Sequence, residues 1–388
     1  MSRLLVFIAV ILAIVIGIHY YLWMRLVRDS HLPPPWRAIA TFALVLLAAA
    51  MPLAMLLGRK LPNAGRVTAW PAFIWMGVMF LLLVALVGAD VVRLVIGFAR
   101  RASGASVDPS RRLATARLAA TAALSLSGGL AAVALRAARG PIAIRRVDVA
   151  LARLPRVHDG LRVVQVSDIH VGSTIGGAFV ADVVRRANAL GPDLVAITGD
   201  VVDGTVADLA EAVAPLGELR ARHGVYFVTG NHEYFSGAAA WMTELGRLGI
   251  RVLRNERVSI GTGVDAFDLA GVDDRSAERY GGLPHDEALA RALGGRDPTR
   301  EVVLLAHQPA SFAGAARHGV GLQLSGHTHG GQINPLGLRP ADLFYRYVAG
   351  LYQVRGTALY VNRGYGTVGP PARAWAPPEI TRIVLVAA

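Results

Sequence analysis

The chain has 388 residues, of which 54% are hydrophobic, and its mean hydropathy is +0.45, so membrane-crossing helices beside a globular part are expected. It has no cysteine and a single lysine, Lys60, which excludes thiolate metal sites, cysteine nucleophiles, disulfides and any P-loop or Schiff-base lysine in its second half. The net charge of +13 lies almost wholly in residues 1–140, with 15 Lys+Arg against 3 Asp+Glu, whereas residues 141–388 carry 25 against 24.

Basic residues between apolar runs suit anionic headgroups and topology signals. The near-neutral remainder lacks the basic stripe of a nucleic-acid groove, so no nucleic-acid partner is expected. Two domains follow: a membrane region over residues 1–140 with about four transmembrane helices, and a globular domain over residues 141–388.

The first apolar run, residues 4–24, is long enough to cross a ~30 Å hydrocarbon core. It lacks a small-residue cleavage site and three further runs follow it, so a retained span is expected rather than a signal peptide. The second run, residues 38–57, comes after Pro33-Pro34-Pro35. The third, residues 71–98, has Trp70 and Trp75 near one end as interfacial anchors. It contains Asp90, expected near a helix end, where it would pair with Arg93 or reach water in a structural role. The fourth, residues 113–135, is rich in Ala, Ser, Thr and Gly, which suits packing against other membrane helices. A soluble helical hairpin is its alternative.

Arg25, Arg28, Arg37, Arg100, Arg101, Arg111 and Arg112 fall on one side of these runs. Arg59, Lys60, Arg66, Arg136, Arg139, Arg145 and Arg146 fall on the other, almost a tie under the positive-inside rule. Ser110-Arg111-Arg112-Leu113 resembles a degenerate twin-arginine export signal, which would put residues 141–388 on the extracytoplasmic side of the cell membrane. An ordinary membrane-flanking arginine pair is the other reading.

After residue 140 strands and helices alternate. Strands are expected at 161–166, 194–198 and 225–228, with helices at 177–190, 206–220 and 238–248. Further strands are expected at 267–271, 302–306, 321–325, 358–362 and 380–386. This is an α/β layer architecture with a more β-rich second half.

Five of these strands end in residues of metal-ligand type: Ser167-Asp168-Ile169-His170, Thr198-Gly199-Asp200, Thr229-Gly230-Asn231-His232-Glu233, Ala306-His307-Gln308-Pro309 and Ser325-Gly326-His327-Thr328-His329-Gly330-Gly331. Sites in open α/β sheets form outside the carboxyl ends of strands. Asp168 and His170, and likewise His327 and His329, are two apart, so each pair points to one side of an extended segment. Oxygen ligands mixed with imidazoles suit Mn, Fe, Zn or a similar divalent ion. Seven candidates favour two ions, which need a shared carboxylate between them. Taken singly, each cluster is more simply a turn, a helix cap or a core histidine. Five ordered clusters on five strand ends are not.

This series, Asp168-x-His170, Gly199-Asp200, Gly230-Asn231-His232, His307 and Gly326-His327-x-His329, resembles the calcineurin-like metallophosphoesterases. More closely it is similar to their membrane-anchored bacterial branch, and the likeness covers residue 161 to the C-terminus. The resemblance implies a four-layer α/β/β/α sandwich. It implies that Asp168, His170 and His329 hold one metal, that Asn231, His307 and His327 hold a second, and that Asp200 bridges them. It further implies in-line attack on phosphorus by a hydroxide bridging the metals, with His232 off the metals as the catalytic residue that steadies phosphoryl oxygens or protonates the leaving group.

Two departures narrow the substrate. Gly204 follows Asp203 where protein phosphatases of the superfamily carry a phosphate-gripping arginine. Asp203 itself stands where purple acid phosphatases carry a metal-binding tyrosine, and it is expected to act as a helix cap, with orienting a ligand as its alternative. Residues 345–352, with Trp375, form either a lipid-facing mouth or ordinary packing. The expected activity is hydrolysis of a phosphoester or pyrophosphate, with a lipid-linked substrate as one option. The alternatives are a nuclease, or a metal-binding membrane sensor or transporter without catalysis.

Overall fold

The computed structural model describes residues 2–60, 62–103, 108–354 and 356–388. The chain divides into two compact units: one runs up to Arg136 and includes Gly369–Ala372, and the other comprises Ala137–Val368 and Arg373–Ala388.

In the first unit the described residues form α1 (Ser2–Trp23), α2 (Pro34–Lys60), α3 (Pro62–Ala102) and α4 (Pro109–Ala138). Four segments, Ile8–Arg28, Pro34–Ala54, Thr68–Arg100 and Pro109–Ala138, are long and apolar enough to cross a membrane. α1 continues as a π-helical turn, Met24–Arg28. α2 and α4 each start on a proline, whose missing N–H costs nothing in a first turn. Leu22, Val27, Leu44, Met79, Leu82, Leu86 and Ala123 make a shared core. α4 buries Ala116, Ala120, Ala123, Ser127, Ala131 and Ala134, a stripe of small residues at helical spacing that permits close backbone approach.

Asp90 departs from expectation. α3 runs on to Ala102, so Asp90 sits inside the helix and not near its end. It accepts hydrogen bonds from Tyr21 Oη at 2.7 Å and Arg25 Nε at 2.9 Å and lies 3.5 Å from Arg93. A carboxylate placed inside an apolar helix needs such partners. Arg111 and Arg112 fall in the first turn of α4, where Asp108 accepts from the Ser110 N–H and hydroxyl. The side chains of Arg59, Lys60, Arg66 and Arg101 lie outside the described residues.

The second unit begins with β1 (Ala143–Leu151), β2 (Leu161–Val166), α5 (Gly177–Ala189), β3 (Leu194–Ile197), α6 (Val206–Val213), β4 (Val225–Phe227), α7 (Asn231–Ser236), α8 (Ala238–Arg247) and β5 (Arg251–Val252). It continues through β6 (Glu256–Ile260), β7 (Phe267–Gly271), α9 (His285–Leu293), β8 (Val302–Leu305), α10 (Phe312–Arg317), β9 (Leu322–Ser325), β10 (Gly350–Val354), β11 (Thr357–Val361) and β12 (Glu379–Ala387). One sheet has the order β1-β12-β2-β3-β4-β5 and the other β10-β11-β9-β8-β7-β6. β2 to β5 are mutually parallel, as are β7, β8, β9 and β11.

Strand alternation distributes the core. Val164, Val195 and Phe227 face α5 and α8 through Val180, Val184, Trp241 and Leu245. Their neighbours Val163, Leu194 and Tyr226 face the other sheet, meeting Leu269, Val303, Leu324 and Tyr360. Val302 and Leu304 pack on Leu289 and Leu293 of α9. The result is a four-layer α/β/β/α sandwich.

Candidate metal centre

All five motif-bearing strands end at one edge of the paired sheets. The turn chemistry there differs from the expected extended geometry. Asp168, His170, Asp200, His327 and His329 all have positive φ, between 50° and 74°. Left-handed backbone disfavours side chains bearing a Cβ and persists only where surrounding structure enforces it. These tight turns, rather than strand alternation, aim the ligands. Gly230 and Gly326 permit the crowding: a Cβ at Gly230 would strike Asp200 Oδ1, and one at Gly326 would strike Asp168 Oδ2.

Glu233 fixes the central turn. Its buried carboxylate accepts from the Asp200 N–H at 3.0 Å, Val201 N–H at 2.7 Å and Gly230 N–H at 2.6 Å. Burial and the nearby Asp200 push its pKa up to about 7, against these three donors. Asp168 and Asp200 each brace the opposite turn, accepting from the His327 N–H at 2.9 Å and the His232 N–H at 2.9 Å.

Three groups converge: Asp168 with His170 and His329, His170 with Asp200 and His232, and Asp200 with His307 and His327, the ligand atoms of each lying within 4.8 Å of one another. All are buried except His232 and His327, which are partly open. Several polar atoms have no partner among the described residues. Asn231 Oδ1 and His307 Nε2 are buried without a hydrogen bond, although His307 Nε2 is 3.1 Å from Asp200 Oδ2. His307 Nδ1 donates to the Thr198 carbonyl at 2.7 Å, so Nε2 is the ring nitrogen that faces the carboxylate. Imidazoles and carboxylates that converge this closely, and hold protons against one another when no ion is present, are the surroundings of a cation, and the donor set suits a divalent metal. His329 fits less simply. Arg373 Nη2 donates to its Nδ1 at 3.2 Å, so the Nε2 lone pair is free only when Nδ1 takes a proton and Arg373 keeps its carbonyl partners, Arg363 and Ala376 among them.

The electrostatics follow from burial. It raises the Asp168 carboxyl pKa. For Asp200, burial acts upward, but His307 and His170 outweigh it and hold the carboxyl well below its ordinary range. Burial lowers His327 to about 3, with His307 adding repulsion. His170 is held at about 9 because Asp203, 3.0 Å away, outweighs the cost of burying its charge.

Asp203 is not a helix cap, since Thr205 occupies that position before α6. Its Oδ1 instead accepts from His170 Nδ1 at 3.0 Å and His232 Nδ1 at 2.6 Å. One carboxylate therefore orients a buried cluster histidine and the partly exposed His232. Sequence reading gave ligand orientation only as the alternative to a cap, because the two contacts close only in three dimensions. It assigned no role to Glu233, though the residue directly follows the Gly-Asn-His motif, and it missed Arg373, which carries no local signal.

Residues 161–331 match the calcineurin-like phosphoesterase family. A cattle protein described as a transmembrane protein with metallophosphoesterase domain is 43% identical over 75% of this chain and 66% of its own length. An uncharacterized metallophosphoesterase of Helicobacter pylori strain J99 is 36% identical over 60% of this chain and 62% of its own. Another from Aquifex aeolicus is 32% identical over 62% of this chain and 91% of its own. The chain belongs to the calcineurin-like metallophosphoesterase family. Its match spans just under two thirds of the cattle protein and less of the Helicobacter one, and its relatives include animal as well as bacterial proteins. Homologues named as transmembrane proteins, together with its apolar helices, associate it with a membrane.

Proposed function

We propose that this chain is a membrane-anchored, two-metal phosphoesterase. In this reading residues 1–140 are a multi-pass membrane region and residues 141–388 the catalytic domain, on the extracytoplasmic side. Asp168, His170 and His329 hold one divalent ion, Asn231, His307 and His327 a second, and Asp200 lies between them. The observation that carries the reading is that Asp200 Oδ2 lies 3.8 Å from His170 Nε2 of the first set and 3.1 Å from His307 Nε2 of the second, as a carboxylate shared by two ions must.

The ions would supply Lewis-acid polarisation of a phosphoester and a lowered water pKa. The rest is the work of the chain itself. Asp203 fixes the Nδ1 proton of His232, which leaves Nε2 to hold or give a proton at the leaving oxygen. Burial lowers the His232 pKa, but the hydrogen bond to Asp203 and the charge of Asp200 outweigh it, so the ring holds its proton more tightly than a free imidazole. Glu233 and the glycine turns keep the carboxylates from relaxing away from one another. The absence of an arginine after Asp203 favours a substrate other than a phosphoprotein.

The test is turnover of bis-p-nitrophenyl phosphate and p-nitrophenyl phosphate by the full chain in detergent with manganese. The expected result is metal-dependent hydrolysis abolished by chelator and by Asp200→Asn. Folded, metal-loaded protein that hydrolyses neither ester would overturn the reading in favour of a binding role.

A further inference from the structure

The catalytic unit carries an apolar rim that its fold does not use. Leu336, Leu338, Leu343 and Phe344 are 63%, 63%, 83% and 81% exposed. Single exposed apolar side chains need no explanation, but contiguous ones do. These continue into Tyr345, whose ring lies 5.7 Å from that of His327. Across the centre the exposed Phe235 ring lies 5.3 Å from that of His232. The segment is pinned to the ligand motif: Asn334 Nδ2 donates to the Gly330 carbonyl at 2.9 Å, and Thr328 Oγ1 donates to the Val348 carbonyl at 2.5 Å. The rim is therefore held in register with His327 and His329.

Two arginines accompany it. Arg339 pairs with Asp342 at 3.0 Å, while Arg346 is exposed over the Tyr347 ring and has no carboxylate partner among the described residues. Leucines and aromatics beside arginines make up the composition of a surface that lies in a bilayer interface, with the rings and leucines among acyl chains and the guanidiniums at headgroup phosphates. The same chain carries four helices long and apolar enough to cross a membrane, and four residues, 139–142, join the last of them to β1. A bilayer is thus the surface within reach of this tether.

We propose that Leu336, Leu338, Leu343, Phe344, Tyr345 and Phe235 form a membrane-docking rim that seats the mouth of the metal centre on a lipid bilayer at headgroup level. The docking itself stands on the rim. The phosphoester chemistry that it would serve rests on the function proposed above.

The cysteine-free sequence makes the test direct. A Phe344→Cys variant of the full chain is labelled with an environment-sensitive fluorophore and placed in nanodiscs of phosphatidylcholine and phosphatidylglycerol containing a shallow spin-labelled lipid. Val264→Cys, at a residue 94% exposed, is the control. The expected result is a blue shift and several-fold stronger quenching at position 344. Equal quenching at the two positions overturns the proposal. A shielded but unquenched label with doubled particle mass also overturns it and assigns the rim to a second copy of the chain. Turnover of bis-p-nitrophenyl phosphate in the same discs reports separately: quenching without turnover keeps the docking and removes the enzyme, and turnover without quenching does the reverse.

Discussion

Asp203 and Glu233 show how few groups hold this centre in shape. Asp203 is shared by His170 and His232, so Asp203→Asn disturbs both. We expect hydrolysis to fall by roughly 10²-fold or more, the range for loss of an oriented proton donor. The sign of the pH effect is fixed as well. Asp203 raises the His232 pKa, so its removal lowers that pKa, and the alkaline limb of the pH–rate profile should move to lower pH. A profile that scales down without moving would exclude His232 as the proton donor. Glu233 satisfies three buried N–H groups. Glu233→Ala leaves them without partners, and about 3 kcal/mol or more of stability should be lost, measured by denaturant unfolding.

At the scale of elements, most of the strands and helices were legible because alternation and helical spacing are local properties. Phe267–Gly271 forms where the pattern put it, and the other expected strands agree to within a residue or so at their ends. The misses have physical causes. Residues 206–220 read as one helix, but α6 ends at Val213 and a 3₁₀ turn containing Pro215 follows, because proline removes the N–H that the helix would need. β1 was missed because Arg145, Arg146 and Asp148 make it polar, and its outward side chains are exposed. His285 opens α9 with both ring nitrogens buried and unpartnered. Burial, then Arg275, lowers its pKa to about 4 from 6.5. The unfolded chain therefore binds the proton more tightly, so the contribution to stability is complete above pH 6.5 and is lost as pH falls toward 4. Melting temperature should drop across that window by the equivalent of about 3 kcal/mol at most. His285→Leu should flatten the dependence; an unchanged slope would show that another group carries it.

For the whole molecule, metal binding and stability should be linked. The candidate ligands come from turns far apart in the chain and meet only in the folded state, so ions held there would bind the native form alone. Saturating manganese should stabilise the domain by about 4 kcal/mol at a thousandfold excess over Kd, and chelator should remove that increment. A melting curve insensitive to chelator would mean that the convergent histidines hold no ion.

The sequence by itself determined which residues of metal-ligand type stand at strand ends, the layer class and the apolar character of the first 140 residues. Each of these is written in neighbouring residues. Only the tertiary structure decided which groups share a proton or a turn: Asp203 between two histidines, Glu233 under Asp200, Arg373 behind His329, and Asp90 joined to Tyr21 and Arg25. The left-handed turns at Asp168, His170, Asp200, His327 and His329 were equally hidden. The reason is that hydrogen-bond partners and strained backbone are selected by what surrounds a residue after packing, and those surroundings come from segments with no local trace in one another's sequence.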